Sequence, residues 1–153
     1  MIRQLAIVRL MFCLLVLADV ASAADAVVIS KDVPPDQLTA SHLRNALLGR
    51  VTTWSDGRTI AIVLSRSAAS QELLQTFLNR DLDHLLRGWK RLVFTGGGSL
   101  PDVTDDDALA IRHVAETPGA ITIIAGANAI ALPPGVLSVA IDIQQSVSKP
   151  DKP

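Results

Sequence analysis

The sequence holds one cysteine and no tyrosine. The cysteine, Cys13, lies in an apolar run at residues 10–17, with Arg3 and Arg9 before it and Ala21-Ser22-Ala23 after it. A basic start, a short apolar core and an A-x-A site predict a secretory signal peptide over residues 1–23, cleaved after Ala23. The run is short for a bilayer span, with an uncleaved N-terminal anchor as the lesser alternative, and Phe12 rather than a small residue precedes Cys13, which argues against a lipoprotein signal. The mature chain then has no cysteine, which excludes disulfides and cysteine metal sites. Periplasmic localisation follows as the expectation.

An excess of one charge is also missing. Of 14 basic and 15 acidic side chains, Arg3, Arg9 and Asp19 fall in the leader, leaving a net charge of −2. That balance points to neither nucleic acid nor an anionic membrane as partner, so any anion site must be local. After residue 23 there is no apolar run long enough for a membrane span, and no repeat, heptad pattern or long linker. One domain over residues 24–145 and a polar tail over residues 146–153 are expected.

Catalytic and cofactor signatures are absent as well. His42, His84 and His113 fall on three different predicted helices, with no second histidine or cysteine at ligand spacing, so no metal site is predicted. Ser41-His42 and Arg112-His113 are adjacent pairs, and adjacent residues on a helix point apart. A nucleophile held against a base is therefore not expected. Gly96-Gly97-Gly98 lacks the following Gly-Lys-Ser/Thr of a phosphate loop. The chain reads as a non-enzyme without a cofactor.

What is present centres on residues 59–78. Thr59 to Leu64 is a β-branched, apolar run that predicts a buried strand. Leu73, Leu74, Phe77 and Leu78 form one stripe of a helix. Between them stand Ser65, Arg66, Ser67, Ala69 and Ser70. A strand feeding a serine-rich helix start can seat an anion, because the first helical N–H groups lack partners and the helix dipole favours negative charge there. Arg66 adds charge, the Ser67 and Ser70 hydroxyls add donors, and Ala69 and Ser70 add N–H groups. The plainer alternative is that Ser67 caps the helix and Arg66 is a solvated surface residue.

Taken in order, Ala26–Ser30 is a strand, stopped by Pro34 and Pro35. Thr39 or Ser41 caps a helix with Leu43, Ala46 and Leu47 on one face, and Gly49 follows in a left-handed C-terminal position. A loop with Asp56-Gly57 as its turn holds Trp54 at the core edge. Asp81 caps a helix whose stripe is Leu82, Leu85, Leu86, Trp89, Leu92 and Val93. Residues 94–101 read as a loop. Thr104 caps a helix with aspartates in its first turn and Ala108, Ile111 and Ala115 inward. Thr117-Pro118-Gly119 turns into a buried strand at 120–124, and residues 136–141 form a last strand. The expected order is β-α-β-α-α-α-β-β, an α/β layer fold.

These pieces together resemble the phosphate-type substrate-binding proteins of bacterial ABC transporters. The resemblance is carried by residues 38–49 (a helix ending in leucine and glycine), Trp54-Ser55-Asp56-Gly57, Ser65-Arg66 with Ser70, and Thr117-Pro118-Gly119-Ala120-Ile121. It implies an α/β, three-layer single lobe of a type II periplasmic-binding-protein-like fold, with a small mixed sheet flanked by helices. It also implies a small phosphate-like oxyanion as ligand and a transporter as partner. The chain departs from the family at two places. Ser70 is followed by Gln71-Glu72 rather than glycine–threonine, and Ala120-Ile121 by Thr122-Ile123 rather than glycine–tyrosine. Its length is about one lobe of the usual two. The alternative expectation is an envelope interaction module that keeps the fold without the ligand, using residues 124–132 or the loop near Trp54 as contacts. A homodimer could rebuild a two-sided cleft.

Overall fold

A computed structural model describes residues 26–34, 37–127 and 130–141. The expected signal peptide and polar tail lie outside these residues. Among them run five strands and four helices: β1 (Ala26–Ser30), α1 (Ala40–Leu47), β2 (Ala61–Ser65), α2 (Ala68–Leu78), α3 (Leu82–Phe94), β3 (Asp102–Thr104), α4 (Asp107–Glu116), β4 (Ala120–Ile124) and β5 (Val136–Ala140).

The strands form one mixed sheet in the order β3-β2-β4-β1-β5. β2 runs parallel to β3 and β4, while β1 is antiparallel to β4 and β5. Alternation along each strand divides the apolar residues between two faces. Val27, Ile29, Ile62, Leu64, Ile121 and Ile123 meet α1, α2 and α3 on one face. Val28, Val63, Ala120 and Ile124 meet Ala110, Ile111 and Val114 of α4 on the other. The result is the expected three-layer α/β arrangement.

Most elements begin and end where local chemistry directs. Thr39, Ser67 and Asp81 cap α1, α2 and α3, each side chain accepting an N–H from the first turn. Gly49 (φ +72°) follows α1 in the left-handed region, and an added Cβ there would meet Leu92 at 2.6 Å. Trp89 is buried, and its indole N–H donates to the Leu47 carbonyl at 2.8 Å, tying α3 to the end of α1.

Two expectations change. Residues 102–104, between the expected loop at 94–101 and the helix expected from Thr104, form an edge strand. Pairing with β2 (Val63↔Asp102, Ser65↔Thr104) makes this strand, since its own residues carry little strand signal. With Thr104 taken up by the sheet, α4 starts later, and Asp106 rather than Thr104 is its cap, accepting the Leu109 N–H at 2.8 Å. Its inward residues are Ala110, Ile111 and Val114; Ala108 is exposed.

Candidate oxyanion site at the start of α2

The connection leaving β2 goes to β3 on one side, and the connection leaving β4 goes toward β5 on the other. In open α/β sheets a crevice forms outside the carboxyl ends of two such strands. Here those ends are Ser65-Arg66 and Ile124-Ala125, so the topology places the crevice at the serine-rich turn. Ser70 closes it from below: its hydroxyl accepts the Ala125 N–H at 3.1 Å.

Ser65 is buried, and its hydroxyl accepts the Ser67 N–H at 3.1 Å. The Ser67 hydroxyl accepts the Ser70 N–H at 3.3 Å as the α2 cap. The Ser67 and Ser70 hydroxyl protons go to one acceptor: Ser67 Oγ donates to Asp107 Oδ1 at 2.7 Å, and Ser70 Oγ donates to the same oxygen at 2.9 Å. Asp107 is the first residue of α4, brought to the turn because β3 sets that helix beside β2. A carboxylate oxygen of the chain itself thus lies where the serine donors converge.

Arg66 is held by its backbone. Its N–H donates to the Thr104 carbonyl at 2.9 Å, and its carbonyl accepts from Gln71 Nε2 at 2.7 Å. The Arg66 side chain is exposed and makes no ion pair among the described residues. Ala69, in the first turn, is exposed. Glu72 carries a negative charge that repels an anion if it faces the turn; it is exposed and makes no ion pair with Arg66. The sequence reading brings together Ser65, Ser67 and Ser70 but misses Asp107. Its signal was present as an aspartate in a helix's first turn, but three neighbouring aspartates looked interchangeable.

Beside this crevice, Val103, Thr104, Leu109, Arg112, His113 and Glu116 line part of a pocket of about 390 Å³. His113 Nε2 lies 3.3 Å from Asp102 Oδ2. Asp105 and Glu116 line it together with Arg112, so the lining does not single out an anion.

The other end of the sheet is structural. The Trp54 indole donates to the Gly119 carbonyl at 2.9 Å, and His42 stacks on Trp54 with ring centroids 5.5 Å apart. Trp54 is buried, so its ring offers no contact surface to a partner. Of residues 124–132, Ile124 and Ala127 are buried and Ile130 is half-exposed; 128 and 129 lie outside the described residues. Arg58 bridges Asp32 and Asp56, donating also to the Asp32 carbonyl at 2.8 Å. Burial is the largest single influence on Asp32 and favours its neutral form. The Ser30 hydroxyl, the Gly119 N–H and the Arg58 charge together outweigh it and hold the carboxyl below its ordinary value. Hydrogen bonds from Arg58 hold Asp56 low as well, and Asp56 in turn raises Arg58.

No protein-family model matches the sequence, and no curated protein matches it. Solved structures do match its fold. An ABC-type phosphate transport receptor from Vibrio cholerae aligns at 15% identity and a TM-score of 0.56, over 79% of this chain and 48% of that one. A structure from Clostridium perfringens assigned as a phosphate ABC-transporter substrate-binding protein, with phosphate bound, aligns at 16% identity and a TM-score of 0.58, over 78% and 45%. PstS from Borrelia burgdorferi aligns at 15% identity and a TM-score of 0.52, over 78% and 47%. The chain therefore shares the fold of part of these phosphate-transport proteins, and it spans about half their length.

Proposed function

We propose that the protein is a secreted, periplasmic solute-binding lobe that takes phosphate or a similar small oxyanion at the start of α2. Ser65, Arg66, Ser67, Ala69 and Ser70 form its seat. The observation that carries this reading is the convergence of the Ser67 and Ser70 hydroxyls on one anionic oxygen, Asp107 Oδ1, in the crevice between the ends of β2 and β4. An incoming oxyanion replaces that oxygen as acceptor. Asp107 then becomes an acceptor facing the ligand. Phosphate near neutral pH carries a P–OH that can donate to a carboxylate, whereas sulfate carries no proton and meets only repulsion. The free Arg66 guanidinium supplies the compensating charge. The activity in this reading is binding; what supports it is that the solved structures sharing the fold are a phosphate transport receptor and substrate-binding proteins.

The second reading is an envelope interaction module without a ligand. The same contact favours it, since the serine hydroxyls are already satisfied and the seat already holds a negative charge. Calorimetric titration with phosphate and with sulfate separates the two. The ligand reading expects heat with phosphate only, loss of that heat in Arg66→Ala, and loss of the preference over sulfate in Asp107→Asn. A wild-type protein silent at millimolar phosphate, with Asp107→Asn also silent, sinks it and leaves the interaction module.

A further inference from the structure

The outward face of α3 takes no part in the oxyanion site. Leu82, Leu85 and Trp89 bury its inner face. On the opposite side Arg87, Lys90, Arg91 and Phe94 stand at i, i+3, i+4 and i+7, a single stripe of the helix. All four are exposed, and Phe94 reaches 93% exposure. None of the three cations makes an ion pair among the described residues, and Asp83 is the only acid in the helix. After Phe94 the chain passes through uncharged Gly96-Gly97-Gly98 to Leu100, which is 48% exposed.

The near-neutral composition conceals this stripe because the charges are unevenly distributed across the sheet. On the side of α2 and α3, exposed Arg80, Arg87, Lys90 and Arg91 stand with Glu72, Asp81 and Asp83; on the α4 side, exposed Asp105, Asp106 and Glu116 stand with Arg112. An anionic plane therefore attracts one side of the molecule and repels the other, which sets an orientation. The apolar face of α3 is buried in the protein, so what it offers a membrane is a row of cations beside one exposed aromatic ring. Cations meet lipid phosphates, and the ring enters the headgroup boundary. We propose that the outer face of α3 docks the protein on an anionic lipid surface through Arg87, Lys90 and Arg91, with Phe94 as its apolar anchor. This inference is independent of the oxyanion reading.

The test is co-sedimentation of the full chain with vesicles of phosphatidylcholine alone and of phosphatidylcholine with phosphatidylglycerol. The readout is the difference between the two kinds, which removes any binding that does not depend on lipid charge. Wild-type protein is expected to partition more strongly onto the anionic vesicles, and to lose that excess as salt rises. Arg87→Glu with Arg91→Glu should reduce it by about tenfold or more, and Phe94→Ser should reduce it severalfold. Circular dichroism confirms that both variants stay folded, as exposed positions without contacts should. Equal binding to the two vesicle types, or an excess unchanged in either variant, overturns the proposal. Arginine-dependent binding to a polyglutamate peptide without vesicle binding also overturns it, and reassigns the stripe to an acidic protein partner.

Discussion

Thr122 and Ser70 are both buried, and their hydroxyls are in opposite situations. Thr122, in the middle of β4, is fully buried, and its Oγ1 has no hydrogen-bond partner among the described residues. Ser70 is equally enclosed, but its Oγ donates to Asp107 and accepts from Ala125. A buried hydroxyl without a partner loses its water and gains nothing in return, at a cost of about 1–3 kcal/mol. Thr122→Val keeps the shape and removes the unpaired group, so it should raise stability by about 1 kcal/mol. Ser70→Ala strands the Ala125 N–H and loosens Asp107, and should lower stability by about 1–3 kcal/mol. Urea denaturation reads both as shifts of the midpoint in opposite directions at constant slope. Equal signs for the two would mean that partnering does not decide the cost.

At the scale of elements, α3 contains a glycine without a use in the fold. Gly88 is exposed in the helix interior, does not have positive φ, and an added Cβ there would meet nothing within 4 Å. Gly88→Ala should therefore stabilise the protein by about 0.5–1 kcal/mol, read from the thermal or urea midpoint. This helix was legible in the sequence because its signals agree: an aspartate cap, leucines at helical spacing and one tryptophan on the same face. The start of α4 was not legible. Ala108, Ala110 and Ala115 give its stripe little contrast, and nothing local in Asp102-Val103-Thr104 marks a strand that exists only by pairing with β2. The candidate site divides the same way. Its serines and their place between strand and helix can be read from adjacent residues. The carboxylate they hold comes from 37 and 40 positions away, and only the packing of α4 beside β2 selects Asp107 from its neighbours.

At the scale of the whole molecule, the closure of the sheet's other end depends on charge. Arg58, from the loop before β2, binds Asp32, which follows β1, and Asp32 also accepts the Gly119 N–H that leads into β4. Gly119 itself is fixed: at φ +72° an added Cβ would lie 2.9 Å from the Thr59 carbonyl. One carboxylate thus joins three segments that are distant in sequence. The carboxyls of Asp32 and Asp56 are held below their ordinary value of 3.8 in the folded chain. The unfolded chain therefore takes up protons first as pH falls, and the stability these groups give is present above about 3.8 and lost as pH drops through their lower folded values. Arg58 is shifted upward and stays charged throughout. Wild-type protein should accordingly lose stability on acidification below about pH 4 more steeply than Arg58→Met, in which both carboxyls lose their cation. The two melting temperatures should be furthest apart near neutrality and converge in acid. A gap that holds constant from pH 7 to pH 3 would show that Arg58 acts through packing of its stem rather than through its charge.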